Sequence, residues 1–410
     1  MTRIPLAGAI LLALTATSHA ETPQPEPPKK PDRKLELTSR DGAQKVRIGG
    51  QLQVDALVFP SDTEDTNIDD VRLRRARLDV RSQIARDYRL RIQLDFANSN
   101  LQIVDANLEL THIEELRIRA GKDKSPVSVD RGQSATVMHF LERGATNQTA
   151  PNRDIGLQVF GAIADGLVDY QLGLFAGAPD GATSVESNVD DRFDVAGRVT
   201  FAPWEPLEIG VTFSHGVARG SAAAPQLGAY RTSGRAAWFR YLDGDGADDT
   251  VVADGARNRL GGHLSFHLGP IGLFGEVIAS SQALSLGATR GTVTHIGWVG
   301  QVSGVLTGED ASFSGVTPTR AVWDGGPGAV ELAVRVHGID VDDRAFSRGF
   351  ADPERYASAY LALTVGATWY LDPHFKVQLN YERSSFDGGA PNGFDRPAED
   401  LLGMRLQHLF

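Results

Sequence analysis

Hydrophobic and polar residues alternate along most of this chain with a period of two, the spacing of β-strands. The clearest stretch is VRLRRARLDVRSQIARDYRLRIQLDFA, residues 71–97. Ala76, Leu78 and Val80, then Tyr88, Leu90, Ile92, Leu94 and Phe96, form one face. Arg75, Arg77 and Arg81, then Arg89 and Arg91, form the other, with Asp79 and Asp95 among them. Such a hairpin asks for two solvents. A soluble sheet would bury the apolar face in a core, whereas a membrane barrel would turn it to lipid and its arginines to a wet lumen.

The same alternation recurs in VRIGGQLQVDAL (46–57), LQIVDANLEL (101–110), ELRIRAG (115–121), IGLQVFGAI (155–163) and further segments up to LLGMRLQHLF (401–410). Together they predict an all-β fold of about 16 antiparallel strands, the even number expected of a single-chain transmembrane barrel. The connections sort into short joins (Ile113-Glu114, Asp165-Gly166, Pro203 to Glu205, Gly269-Pro270, Asp372-Pro373) and long polar loops (122–153, 178–190, 216–257, 341–356, 386–400). Short turns on one rim and long external loops on the other are the asymmetry of outer-membrane barrels. The loop 122–153 is expected to fold into the lumen. Trp204, Trp298, Trp369 and Tyr370 fall near inferred strand ends, where an aromatic girdle would sit. The last strand closes on an aromatic residue, Phe410, as in barrels inserted by the outer-membrane assembly route.

The amino-terminal end adds the compartment. Arg3, an apolar run from Ile4 to Leu14 and the small residues Ser18-His19-Ala20 predict a secretory signal peptide over residues 1–20. A proline-rich, charged segment follows and is expected to be a flexible tether over 21–40, leaving 41–410 for the barrel. No stretch approaches the ~20 continuous apolar residues of a transmembrane helix. Cysteine is absent, which excludes disulfides, zinc-thiolate sites and a cysteine nucleophile. With 44 glycines and 41% hydrophobic residues, the composition suits a barrel with a wet interior better than one large dry core. The formal net charge of −11 argues against nucleic acid as a partner, so any attraction for anions must come from where the charges sit.

Taken in order, several segments resemble one family, the phosphate-selective porins O and P. They are RRARLDV (74–80), RLRIQLDFA (89–97), AGKDKSPVS (120–128), FLERGATNQTAPNRDIGLQVFG (140–161), GAVELAVRVHGID (328–340) and GATWYLDPHFKVQLNYERS (366–384). Val330 and Val336 depart from the aromatic character expected at their positions, and no long amino-terminal helical extension is present. The resemblance implies a barrel of 16 strands, commonly a homotrimer, conducting anions in the bacterial outer membrane; phosphate or a related oxyanion is the leading solute.

Anion selectivity needs fixed positive charge at the narrowest part of a pore. Arginine suits the task because its planar fork can hold an oxyanion with two donors. The hairpin offers Arg75, Arg77, Arg89 and Arg91 as a ladder, and the loop adds Lys122, Lys124, Arg131, Arg143 and Arg153 against Asp123, Asp130, Glu142 and Asp154. By resemblance, Lys122 and Ser125, with Asp95 and the Arg74–Arg75 pair, form the central anion site. Alternation nevertheless places Arg74 on the lipid-side face with Ala76. The alternative is a lumen whose arginines are neutralised by Asp79, Asp95, Asp105 and Glu109, as in a general or weakly cation-preferring diffusion porin. The remaining constellations are weaker. DGDGADD (243–249) has calcium-like carboxylate spacing without the distal glutamate of a full loop, and reads as a solvated external loop. His263 and His267 share a strand face but supply too few ligands for a metal site. Glu382 and Arg383 are expected to pair within the barrel. No nucleophile elbow is present. The reading is therefore a channel rather than an enzyme, without a cofactor, whose partners are small inorganic anions and outer-membrane lipid.

Overall fold

The computed structural model describes residues 35–60, 68–97, 100–184, 191–246 and 248–410. The expected signal peptide and most of the proline-rich segment lie outside the described residues. The strands are β1 (Leu35–Thr38), β2 (Gln44–Val58), β3 (Asp70–Ile84), β4 (Tyr88–Asp95), β5 (Gln102–Leu110), β6 (Arg117–Lys124), β7 (Arg153–Ile163), β8 (Val168–Phe175), β9 (Asp194–Trp204), β10 (Leu207–Arg219), β11 (Tyr230–Arg231), β12 (Ala237–Phe239), β13 (Val252–Leu268), β14 (Ile271–Leu286), β15 (Thr289–Val305), β16 (Ala329–Asp340), β17 (Ala357–Tyr370), β18 (Phe375–Gly388) and β19 (Glu399–Leu409). β2 to β10 and β13 to β19 form a closed antiparallel barrel of 16 strands.

Closure is made by β19 against β2, from Leu402 opposite Val58 to Leu409 opposite Gln51. Beyond that ladder Gly50 donates to the Phe410 carbonyl at 3.0 Å, and the Phe410 N–H donates back to Gly50 at 3.2 Å. The Phe410 ring lies directly over Gly50, where a β-carbon would collide with it. The terminal aromatic thus seals the last seam of the sheet. β1 continues the same edge of β2 below that seam, pairing Leu35 to Thr38 with Ile48 to Lys45. The end of the supposed tether is therefore strand.

The burial pattern is that of a protein turned inside out. Leu90, Ile92, Leu157, Leu172, Val211 and Leu264 are exposed on the outer surface, while Gln53, Asp55, Asp105, Arg259 and Arg405 are buried inside. A soluble domain reverses this assignment, because buried charge is costly and apolar burial is what drives folding. Lipid supplies the missing apolar environment. In the hairpin read first from sequence, Leu78 faces Leu94 and Val80 faces Ile92 across β3 and β4, on the outer side. Trp204 and Trp369 are exposed near the rim of tight turns. The other two girdle candidates are corrected: Trp298 lies in the middle of β15, opposite Gly338, and Tyr370 is buried inward, donating to Glu331 Oε2 at 2.8 Å.

The two rims differ largely as expected, with two exceptions. β14 and β15 are joined on the loop rim by only Gly287 and Ala288, with Gly287 at φ +54°. On the turn rim, 306–328 is a long connector rather than a tight turn, and it rises into the barrel. There the Phe313 carbonyl accepts from Gln133 Nε2 at 2.9 Å, and the Phe313 ring packs on Phe274. On the loop rim, the segment 220–251 brings Tyr230, Trp238 and Phe239 into a dry aromatic cluster with Phe350 and Tyr360.

Candidate functional site

The loop 125–152 crosses the lumen as a strap, as expected from sequence. Near its start, Glu276 of β14 accepts from Ser128 Oγ at 2.8 Å and from the Val129 N–H at 2.5 Å. In its middle, Gln53 of β2 donates to the Ala135 carbonyl at 3.0 Å and Gln407 of β19 to Thr136 at 2.8 Å. Gln378 and Lys376 of β18 both donate to Met138, at 2.8 and 3.1 Å, and Asn380 accepts from the Leu141 N–H at 2.9 Å. His139 meets Glu331 at 3.1 Å. Arg335 of β16 donates to the Glu142 carbonyl at 2.8 Å and covers the Phe140 ring at 4.4 Å. Every one of these wall residues sits at an inward position of its strand, so alternation alone delivers the loop's anchors.

The other wall, β3 to β7, carries most of the cations singled out from the sequence. A bulge between Gln53 and Val54 of β2 sets Arg75 opposite Gln53 and Leu73 opposite Val54, leaving Arg74 as the extra residue. A bulge turns two consecutive side chains toward one face. Arg74 therefore does not face lipid, as strict alternation predicted, but grips Glu142 with Nε and Nη2 at 2.6 and 2.9 Å. Arg72, above the bulge, approaches the same carboxylate at 3.9 Å. Arg75 is buried and donates to the neutral Gln53 Oε1 at 2.6 Å.

Lower on this wall the ladder is paired. Arg77 donates to Asp95 at 2.7 Å, and Asp95 also accepts the Ala76 and Ala97 N–H groups at 3.2 and 3.1 Å. Arg91 donates to both oxygens of Asp79, at 3.1 and 3.0 Å, and meets Asp105 at 3.1 Å. Arg153 donates to Asp105 at 2.7 Å. Arg119 bridges Glu109 and Asp123. Arg89, at the turn rim, is exposed and in register with Gln83 and Glu109.

Between wall and loop the cations are held mainly by carbonyl oxygens. Lys124 Nζ donates to the Gly132 and Gln133 carbonyls, both at 2.9 Å, and Arg131 Nη2 to Asn147 at 3.0 Å. Arg143 Nη2 donates to Gln133 at 2.5 Å, and Asp130 lies 3.6 Å from its other arm. Arg143 and Arg153 lie close enough to repel both Lys124 and Arg131, and each other. Lys122 is buried, in register with Ala106 and Ile155, just after Gly121. With φ at +123° and its α-carbon hydrogen against the Ala106 carbonyl, position 121 admits only glycine. Ser125 is buried at the start of the loop.

The structure gathers Arg74, Arg75, Arg77, Arg91, Asp95, Lys124 and Arg131 along one side of the lumen. Residues not singled out beforehand are Arg72, Gln53, Glu276, Arg335 and Arg405, the last bound to both oxygens of Asp55 at 2.6 and 2.8 Å. The inward phase of LLGMRLQHLF and AVELAVRVHGI already marks Arg405 and Arg335 as lumenal.

Glu382 and Arg383 do not pair. As neighbours on one strand they point to opposite faces: Glu382 meets Arg335 and Thr364 inside, and Arg383 meets Asp400 outside. In DGDGADD, Asp249 accepts the Gly246 N–H at 2.6 Å and closes a turn on itself. Among the described residues no group of three or more His, Asp or Glu side chains could hold a metal ion. His263 instead lies 3.5 Å from Thr200 and His267 packs near Phe313.

Comparison with known proteins agrees with this geometry. An uncharacterized protein of Caulobacter vibrioides is 23% identical over 390 residues, covering 91% of this chain and 75% of that protein. The outer-membrane channel DcaP of Acinetobacter baumannii superposes with a TM-score of 0.59 at 12% identity, over 91% of this chain and 99% of DcaP. The trimer form of OmpT from Vibrio cholerae gives 0.54 at 9% identity, over 90% and 100% of the two chains. OprB of Pseudomonas putida gives 0.53 at 10% identity, over 90% and 95%. The family match spans residues 46–410, from the second strand to the last residue, and by it the chain belongs to the phosphate-selective porin O and P family.

Proposed function

We propose that this porin admits small anions by passive diffusion across the bacterial outer membrane, with phosphate and related oxyanions as its leading solutes. The observation that carries the reading is Arg75, a buried guanidinium whose hydrogen bond goes to an amide rather than a carboxylate. Elsewhere between wall and loop, Lys124 and Arg131 donate to carbonyl oxygens, which leave their charge in place. Fixed charge of one sign beside a low-dielectric wall focuses the field and raises the local anion concentration. No bond is made or broken, and no cofactor is required. The turn rim faces the periplasm, the signal peptide directs export, and the assembly is a homotrimer, as one of the similar barrels is.

A second reading, a general or weakly cation-preferring porin, draws on the pairing of Arg77, Arg91 and Arg153 with Asp95, Asp79 and Asp105. The sign of the reversal potential separates the two. In a planar bilayer under a potassium chloride gradient, the anion reading expects the potential of a chloride-permeable pore. A potassium-like potential would favour the second reading.

A further inference from the structure

The Glu142 carboxylate sits in an oxyanion cradle. Arg74 holds both of its oxygens in the fork-to-fork geometry that a guanidinium makes with any planar two-oxygen anion. Arg72 stands 3.9 Å away, and Arg75 and Arg405 act on the same carboxylate through space. Two further carboxylates stand nearby: Asp55, which Arg405 grips, and Glu382, which pairs with Arg335. The wall supplies the guanidiniums, whereas Glu142 arrives on the loop. The adjoining cavity is lined by Arg72, Glu142, Ser233, Arg335, Asn380 and Glu382, and three buried donors on these residues, Arg72 Nε, Arg335 Nε and Asn380 Nδ2, have no hydrogen-bond acceptor. The place beside the carboxylate is thus built for more acceptor oxygens than the protein provides.

We propose that Glu142 is a tethered occupant of an oxyanion site: the loop's own carboxylate competes with the passing anion for the Arg72–Arg74–Arg75 cradle. The proposal rests on the anion reading above and adds to it the residue that sets affinity. A pore must bind its solute weakly enough to release it. A carboxylate that returns to the cradle as the anion leaves keeps residence short.

The test uses the full chain in planar bilayers, with inorganic phosphate added to potassium chloride and the half-blocking phosphate concentration read from the chloride current. Glu142→Gln removes the charge and keeps the size. It is expected to lower the half-blocking concentration about tenfold, a larger factor than its effect on chloride conductance, because the cradle favours two-oxygen anions over a sphere. Glu142→Asp, which draws the carboxylate back by one methylene, is expected to lower it by roughly threefold. Unchanged block, or an equal gain for chloride and phosphate, overturns the proposal. Should the Gln variant not reach the heat-modifiable barrel form, the Asp variant decides by the same criterion. A cation-selective wild type that becomes anion-selective in Glu142→Gln keeps the tethered carboxylate and removes the anion reading of the native pore. An anion-selective wild type whose block is unmoved does the reverse.

Discussion

The two walls of this barrel use the same residue types under different conditions. β4, β5 and β6 have 8, 9 and 8 residues, whereas β13, β14 and β15 have 17, 16 and 17. On the side of the short strands Arg81, Arg91 and Arg119 keep 62, 27 and 21% of their side chains exposed, so their ion pairs reach water. On the taller side, the β16–β18 stretch holds Arg335, Glu382 and His337 almost completely buried, beneath the loop residues Met138 to Leu141. The same ion pair therefore fastens the loop in one place and lines water in the other. Screening decides which: exposed pairs contribute little to stability, while a buried charge that loses its partner is strongly destabilising.

Substitutions should separate the walls. Arg335→Ala leaves Glu382 buried without its guanidinium and uncovers Phe140, and is expected to destabilise the barrel by about 3–5 kcal/mol. The temperature at which the folded band is lost in detergent gels would report it. Gln378→Leu combined with Asn380→Leu removes three hydrogen bonds to the loop backbone and leaves the buried Leu141 N–H without its acceptor, at a cost of about 1–3 kcal/mol for that group. Its expected signature is a noisier single-channel current as the strap loosens. Arg81→Gln on the wet wall, where the pair with Asp79 leaves the arginine 62% exposed, should change stability by about 1 kcal/mol or less. A shift as large as that of Arg335→Ala would dissolve the distinction between the walls.

Outside the membrane, Asp342 provides a smaller effect. Burial opposes its ionisation, but bonds from Arg344 and from the Thr294 N–H prevail and hold its pKa down at about 2. A depressed carboxylate contributes stability that is present above its ordinary value and lost as pH falls through the lowered one. The loop 341–356 should therefore stay docked at pH 4 and loosen below about pH 2, while Asp342→Asn loosens it at neutral pH by roughly 1 kcal/mol or less, given the exposure of its partner Arg344. Protease access to this loop is the readout.

Alternation made the barrel legible, because strand period, lipid-facing residues and short turns are all local properties. The inserted loop was legible too, from its length and its charges. Arg74 was not, since a bulge shifts the phase of alternation without leaving a trace in it. Nor were the arginines' partners: Arg405 and Asp55 lie 350 residues apart and meet only because β19 closes on β2. The connector 306–328 was missed for a related reason, as nothing in its composition says that a loop on the turn rim should rise into the lumen. Sequence thus identified which charges face water but not which of them are already neutralised.

The central claim is that selectivity belongs to the cations that no carboxylate hydrogen-bonds rather than to the ladder as a whole. Reversal potentials of Arg75→Gln and Arg91→Gln, measured against wild type in one potassium chloride gradient, test it most directly. Arg75→Gln should move the potential well toward that of potassium, and Arg91→Gln should move it much less, since Asp79 and Asp105 already offset that arginine. Equal shifts, or a larger one for Arg91→Gln, would contradict the account.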